Sequence, residues 1–403
     1  MQHGRASWSL VASIALASNA FAACTGLAAC TGPAATPSRI ESEEGSLERP
    51  STPRAIVRSI AEPTARADDA RTPEVEPPVE IVFGSPWESA VAFPGPLGAS
   101  HRVPWRRFAP EVETVEIPSS ADGSMQRALF YDSGSPRDKP LLVVLHSWSA
   151  TYLQNIHIPY ARFAIDNDWV FVHPDFRGRN RRPEATNSEL AVRDVLDAVE
   201  YALGRARVDE SRIYLLGYSG GAMMSLVLAG RYPERWAGVA TWVAVVDLVD
   251  WYETMRRRGS RYAREIAISC GGPPRPGTRA EAQCRSRSPM TYLPGAAGRV
   301  PVLIAHGLRD RLAPPDHAIR AFNALAAPPD RITDEERALL ARERARPREL
   351  DGERIDADPA FERAGTPVVL RRTSQQATLV LFDGDHDMLY EPGLRWLARQ
   401  RRG

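Results

Sequence analysis

The chain has 403 residues, 25% of them charged, and Lys+Arg 51 against Asp+Glu 50 leaves a formal net charge of +1. That balance provides no broad electropositive surface for a phosphate backbone, so nucleic acid is not an expected partner. A mean hydropathy of −0.33, with no apolar run of spanning length beyond the N-terminus, excludes a polytopic membrane protein.

The first 30 residues read as an export signal. Arg5 is the only charge among the first 37 residues, an apolar stretch follows from Trp8, and Ala20-Phe21-Ala22 supplies small residues for cleavage. Leu27-Ala28-Ala29-Cys30 resembles the bacterial lipoprotein box, and Phe21-Ala22-Ala23-Cys24 is a weaker copy at a more usual distance. The expected location is therefore the periplasm, the outer membrane through a lipid on Cys30 or Cys24, or the secreted fraction. Residues 31–80 carry Pro33, Pro37, Pro50, Pro53, Pro63, Pro73, Pro77 and Pro78 among Ser, Thr, Glu and Arg. Such a stretch cannot bury enough apolar surface to offset its ordering entropy, and it reads as a disordered tether. Residues 81–111 form an N-terminal extension expected to pack on the folded domain.

From residue 112 to residue 403 apolar runs alternate with amphipathic segments. Residues 141–145, 169–172, 213–216, 239–246, 302–304 and 379–382 read as strands buried on both faces. Residues 189–203 place Val192, Val195, Leu196, Val199 and Ala202 on one helical face, with Ser188 or Asn187 as N-cap and Gly204 as the stop. Residues 223–229 and 394–400 are similar. This alternation predicts a doubly wound, mostly parallel sheet. Residues 247–298 and 327–375 break it and are expected to be insertions over or beside the carboxyl edge, the second with a charged helix near residues 334–348.

Cys270 and Cys284 flank the loop Gly271-Gly272-Pro273-Pro274. In an oxidising compartment a disulfide closing it is expected, worth ~3 kcal/mol on the loop-entropy argument. No histidine or cysteine stands at zinc-ligand spacing, and His101 and His157 lack partners, so no metal and no cofactor is expected.

Gly217-Tyr218-Ser219-Gly220-Gly221 follows one strand and opens a helix, the context of a nucleophile elbow. A serine needs a base, and the base needs an acid to fix its tautomer; in this context they follow in the order Ser, acid, His. Asp310 lies just past the strand at 302–304, with Asp316 as rival acid. His386 follows the last strand, and the other downstream histidines are His306 and His317. The oxyanion donors are expected to be the amide of Gly220 and that of Ser147 or Trp148, in the loop after residue 145. Tyr218, Trp251 and Tyr252 could line a substrate pocket, although aromatics near a sheet edge more often serve the core.

Asp175-Phe176-Arg177-Gly178, Val208-Asp209-Glu210-Ser211-Arg212-Ile213, the Ser219 elbow, Ser288-Pro289-Met290-Thr291-Tyr292, the turn from His306 to Asp310 and the His386 loop together resemble the catalytic domain of the prolyl oligopeptidase family of serine peptidases. The resemblance spans roughly residues 112–403. It implies an α/β-hydrolase fold with Ser219 as nucleophile, Asp310 as acid and His386 as base, acting on short peptides. Three features depart from the family, one being that the pair of glutamates that holds a peptide's free amine in relatives is not identifiable. Residues 31–111 are too short for a β-propeller, and the oxyanion loop reads His146-Ser147-Trp148-Ser149 where relatives often have His-Gly-Gly-Pro. The segment from Gly217 to Arg231 also looks like secreted polyester and feruloyl esterases, so an acyl ester is the alternative substrate. The residues carry no reading of oligomeric state.

Overall fold

The computed structural model describes residues 96–343 and 358–403. The export signal, Cys24, Cys30, the tether and residues 81–95 lie outside the described residues.

Nine strands form one sheet: β1 (Glu113–Pro118), β2 (Met125–Tyr131), β3 (Lys139–Leu145), β4 (Val170–Pro174), β5 (Val208–Tyr218), β6 (Gly238–Trp242), β7 (Val302–Gly307), β8 (Val368–Ser374) and β9 (Ala377–Phe382). Their order is β1-β2-β4-β3-β5-β6-β7-β9-β8. Every pairing from β4 to β9 is parallel, while β1, β2 and β8 add antiparallel strands at the two ends. This is the α/β-hydrolase fold.

Helices cover both faces. Those that enter the argument, in chain order, are α1 (Arg102–Phe108), α2 (Ile158–Asp166), α3 (Glu189–Arg205), α4 (Gly220–Arg231), α5 (Leu248–Arg257), α6 (Arg261–Cys270), α7 (Arg279–Ser286), α8 (Asp316–Leu325), α9 (Asp334–Glu343), α10 (Pro359–Arg363) and α11 (Tyr390–Ala398). Because side chains alternate along a strand, β3 feeds two cores. Leu141, Val143 and Leu145 meet residues of α3, α4 and α8, while Leu142 and Val144 meet α1, α2 and α11. All seven residues of β3 are buried, which is why the sequence there is an unbroken apolar run after Lys139 and Pro140.

The helix ends follow local chemistry. Ser188 caps α3 by accepting from the amide of Ala191, and α3 runs one residue past the expected stop at Gly204. The strand expected at 239–246 ends at Trp242. Val243 takes φ 50°, a conformation that a β-branched residue rarely adopts, and the chain leaves the sheet there. The insertion at 247–298 holds α5, α6 and α7, and a disulfide between Cys270 and Cys284 joins the end of α6 to α7. Trp148, in the loop after β3, packs edge-on to Trp251 of α5 and Tyr262 of α6, which places this insertion at the carboxyl edge. The insertion at 327–375 ends in β8, and α9 packs beside it through Arg372 and Glu336. α1, from the N-terminal extension, buries Trp105 against Phe171 and His173. Among the described residues no helix is long and apolar enough to cross a membrane.

Candidate active site

Four strands end at one place on the carboxyl edge. β5 delivers Ser219, β7 leads to Asp310, β9 leads to His386, and β3 leads to the loop 146–149. In an open sheet of this kind the crevice outside the carboxyl ends is where ligands bind.

Ser219 sits between the last residue of β5 and the first of α4, with φ 54° and ψ −114°. Holding a non-glycine residue there costs about 1–3 kcal/mol, and packing on both sides enforces it. A Cβ on Gly217 would overlap the backbone of Gly221, and one on Gly221 would overlap the carbonyl of Leu145. Only glycine lets the strand turn into the helix this tightly while α4 rests against β3. The turn is anchored by the Ser219 amide, which donates to the carbonyl of Trp242 at 2.9 Å.

Ser219 Oγ lies 2.9 Å from Nε2 of His386, and Nδ1 of His386 lies 2.6 Å from Oδ2 of Asp310. Asp310 is 5% exposed, and its second oxygen accepts the amides of Leu312 at 2.7 Å and Ala313 at 3.0 Å. Burial alone would raise its pKa. Hydrogen bonds from His306 and His386 outweigh that and hold the carboxyl well below its usual range, so it is ionised at neutral pH. An ionised acceptor at Oδ2 fixes the proton of His386 on Nδ1 and leaves the Nε2 lone pair facing the serine.

The rival residues are otherwise engaged. His306 is fully buried, its Nε2 bonding the Ala313 carbonyl at 2.8 Å and lying 3.3 Å from Asp310. His317 accepts from the amide of Val246, and burial lowers its pKa to about 4. Asp316 pairs with Arg337 at 2.7 Å.

The loop after β3 resolves the choice of second amide. Ser147 N–H donates to Gln154 Oε1 at 2.7 Å, while Gln154 Nε2 donates to Ser147 Oγ at 2.8 Å and to the Leu97 carbonyl at 2.7 Å. The Ser147 amide is therefore spent on holding the loop, contrary to its standing as an equal candidate. The amides of Trp148 and Gly220 have no hydrogen-bond partner among the described residues, and a Cβ on Gly220 would stand 2.5 Å from the Trp148 nitrogen. Two free donors thus meet beside Ser219, the arrangement that an oxyanion needs. His146 supports the loop from behind, bonding the Asp175 carbonyl at 2.7 Å and stacking on Phe176 at 4.0 Å.

Of the three aromatics proposed for a pocket, two are buried and hydrogen-bonded elsewhere. Tyr218 is 1% exposed, and its hydroxyl donates to the carbonyl of His386 at 2.8 Å, so it braces the His386 loop. Trp251 is buried, and its indole N–H donates to the Leu312 carbonyl at 2.9 Å, tying α5 to the Asp310 loop. Tyr252 is half-buried against the same cluster. For Tyr218 and Trp251 the ring fills a core, while Tyr252 keeps part of its surface exposed. Gln154 is the supporting residue that sequence alone did not single out, because nothing in its neighbourhood along the chain marks the atoms it meets in the fold.

Residues 160–341 match the profile described as the prolyl oligopeptidase family. Among curated proteins, the acylamino-acid-releasing enzyme of Rattus norvegicus is 30% identical over 145 residues, covering 34% of this chain and 18% of that one. Poly(3-hydroxyalkanoate) depolymerase C of Paucimonas lemoignei is 25% identical over 130 residues, covering 29% and 31%. Each match spans less than a third of the relative's length. Among solved structures, Pyrococcus horikoshii acylaminoacyl peptidase aligns with a TM-score of 0.41 at 16% identity, covering 53% of this chain and 34% of that one. The resemblance read from the motifs is borne out over residues 160–341, which match the prolyl oligopeptidase family profile and lie on an α/β-hydrolase fold.

Proposed function

We propose that the protein is an exported serine peptidase that cleaves short peptides through an acyl-enzyme on Ser219. The observation that carries the reading is the unbroken hydrogen-bond chain from Ser219 Oγ through His386 to Asp310, with the free amides of Gly220 and Trp148 beside it. In this scheme His386 Nε2 takes the hydroxyl proton as Ser219 Oγ attacks the scissile carbonyl, and Asp310 stabilises the imidazolium. The two amides receive the oxyanion, a contribution of about 3–4 kcal/mol per donor in comparable sites. His386 then returns its proton to the leaving amine, and water repeats the sequence on the acyl-enzyme.

An ester substrate uses the same nucleophile and oxyanion donors, and the similarity to a poly(3-hydroxyalkanoate) depolymerase is the observation that favours it as the second reading. A dipeptidyl anilide and an aryl acetate, each assayed beside Ser219→Ala, separate the two. Anilide turnover that disappears in the variant supports the peptidase; acetate turnover alone supports the esterase and overturns the first reading.

Export is supported by the N-terminal sequence and by the Cys270–Cys284 disulfide, which suits an oxidising compartment. We place the folded domain outside the cytoplasm, tethered by a lipid on Cys30. Membrane fractionation of the full chain and of Cys30→Ala tests this: release by the substitution is expected, and an unchanged soluble distribution of both would contradict it.

A further inference from the structure

Beside the oxyanion loop a cleft of about 270 Å³ is lined by Gly98, Trp148, Ser149, Arg179, Arg181, Arg261 and Glu265. Three guanidinium groups face it and one carboxylate. That carboxylate is already committed: Glu265 accepts the indole N–H of Trp148 at 2.7 Å, and Arg261 approaches it only to 3.9 Å. Arg179 donates to the Ser149 carbonyl at 2.9 Å and has no carboxylate partner among the described residues. Arg181 is exposed, and its side chain has no partner there at all. The cleft therefore holds a surplus of two positive charges that no carboxylate among the described residues neutralises.

Its position makes this surplus matter to catalysis. Trp148 lines the cleft and offers its amide to the oxyanion site. Arg179 and Arg181 flank Asn180, whose amide nitrogen would stand 3.0 Å from a Cβ on Gly220, the residue after the nucleophile. The Asn180 backbone amide donates to the Trp148 carbonyl at 2.8 Å, and Arg261 reaches Ser149 Oγ at 3.2 Å. Arg179 and Arg261 are thus tied to the same short loop that offers the second oxyanion donor, and Arg181 stands beside them.

We propose that this cleft binds a carboxylate of the substrate close to the scissile bond, an acidic side chain or a free α-carboxyl group of a short peptide. A guanidinium fork matches a carboxylate through two parallel N–H donors, and a planar, permanently charged group suits that task better than a lysine. The same field repels an ammonium group, so a free N-terminal amine is excluded from this side of the site. The proposal rests on the Ser219 hydrolase reading, and its test is built to fail separately from the peptidase reading.

Two fluorophosphonate probes of equal length, one ending in a carboxylate and one in its carboxamide, report the cleft through their rates of labelling Ser219, whatever bond the enzyme cleaves. The wild-type protein is expected to react about tenfold faster with the carboxylate probe at low salt, and the ratio should shrink as salt screens the charges. Arg181→Glu should bring the ratio to one or below, and Arg181→Gln should give an intermediate value. A second pair, short peptides carrying Glu or Gln on either side of the cleaved bond and ending in a free acid or an amide, identifies which carboxylate is read. Equal probe rates in the wild type, or a ratio unmoved by Arg181→Glu, would overturn the cleft assignment. A carboxylate preference with neither peptide series cleaved would uphold the cleft and overturn the peptidase reading.

Discussion

Two parts of the site are built by opposite means. The elbow at the end of β5 is a backbone construction: Ser219 is held at φ 54° because Gly217 and Gly221 pack where no side chain fits. Asp310 and His386, beyond β7 and β9, are held by polar contacts instead. Asp310 is fixed by two amides and two imidazoles, and His386 by its contact with Asp310 and by the Tyr218 hydroxyl on its carbonyl. The elbow should therefore fail through steric overlap and loss of fold, whereas the acid and base loops should lose activity while the fold persists.

The sharpest break is Asp310→Asn. An amide in place of the carboxylate favours the wrong tautomer of His386, and kcat is expected to fall about 10⁴-fold with the thermal midpoint little changed. Turnover within tenfold of wild type would remove Asp310 from the site. Gly221→Ala tests the other side. Its methyl group would overlap the Leu145 carbonyl between α4 and β3, and a stability loss of about 3 kcal/mol or more is expected from overpacking and strain together. Urea unfolding of the variant checks this, and an unchanged midpoint would show that the elbow has room to spare. Tyr218→Phe removes one donor and leaves the His386 carbonyl unsatisfied, so kcat should drop about tenfold with KM held. A change confined to KM would return Tyr218 to the pocket.

The smallest effect concerns acid stability. His157 is fully buried, and burial holds its pKa down to about 3; His317 is held to about 4. Both are neutral in the fold, while the unfolded chain protonates them near pH 6.5. Below that pH the unfolded state binds more protons, so stability falls as the pH drops through 6.5 toward the folded values, by up to roughly 1.4 kcal/mol per unit for each histidine. Asp310 is also shifted downward and adds to the loss of stability in acid, but only as the pH falls below the ordinary carboxyl value toward its lower folded one. Thermal unfolding from pH 7 to 5 should show a slope that flattens in His157→Gln, and an identical slope would exclude His157 as a contributor.

Much of this arrangement was legible before any coordinates. The runs at 141–145, 213–216, 302–304 and 379–382 are apolar because both faces of the sheet are covered, and covered parallel strands leave that mark. The Ser219 elbow shows because a steric rule demands glycine at fixed offsets, and the order of acid and base follows from which strands end at the site. The strand expected to continue to residue 246 was misjudged because an apolar run cannot tell a strand from a buried crossover, and Val243 turns it out of the sheet. The antiparallel strands β1, β2 and β8 are partly exposed and carry weaker patterns. The choice of Trp148 over Ser147 depends on Gln154, seven residues on, whose amide could not be placed from spacing. Tyr218 and Trp251 look like pocket aromatics in the sequence, and only their hydroxyl and indole partners show them to be braces.

The central claim is that Ser219 is the nucleophile activated by His386. The most direct measurement is intact-mass and peptide-map analysis of the protein after a fluorophosphonate probe, for wild type, Ser219→Ala and His386→Ala. One adduct on Ser219 in the wild type, none in Ser219→Ala and a rate lowered by orders of magnitude in His386→Ala are predicted. An adduct on another residue, or undiminished labelling without His386, would contradict the account.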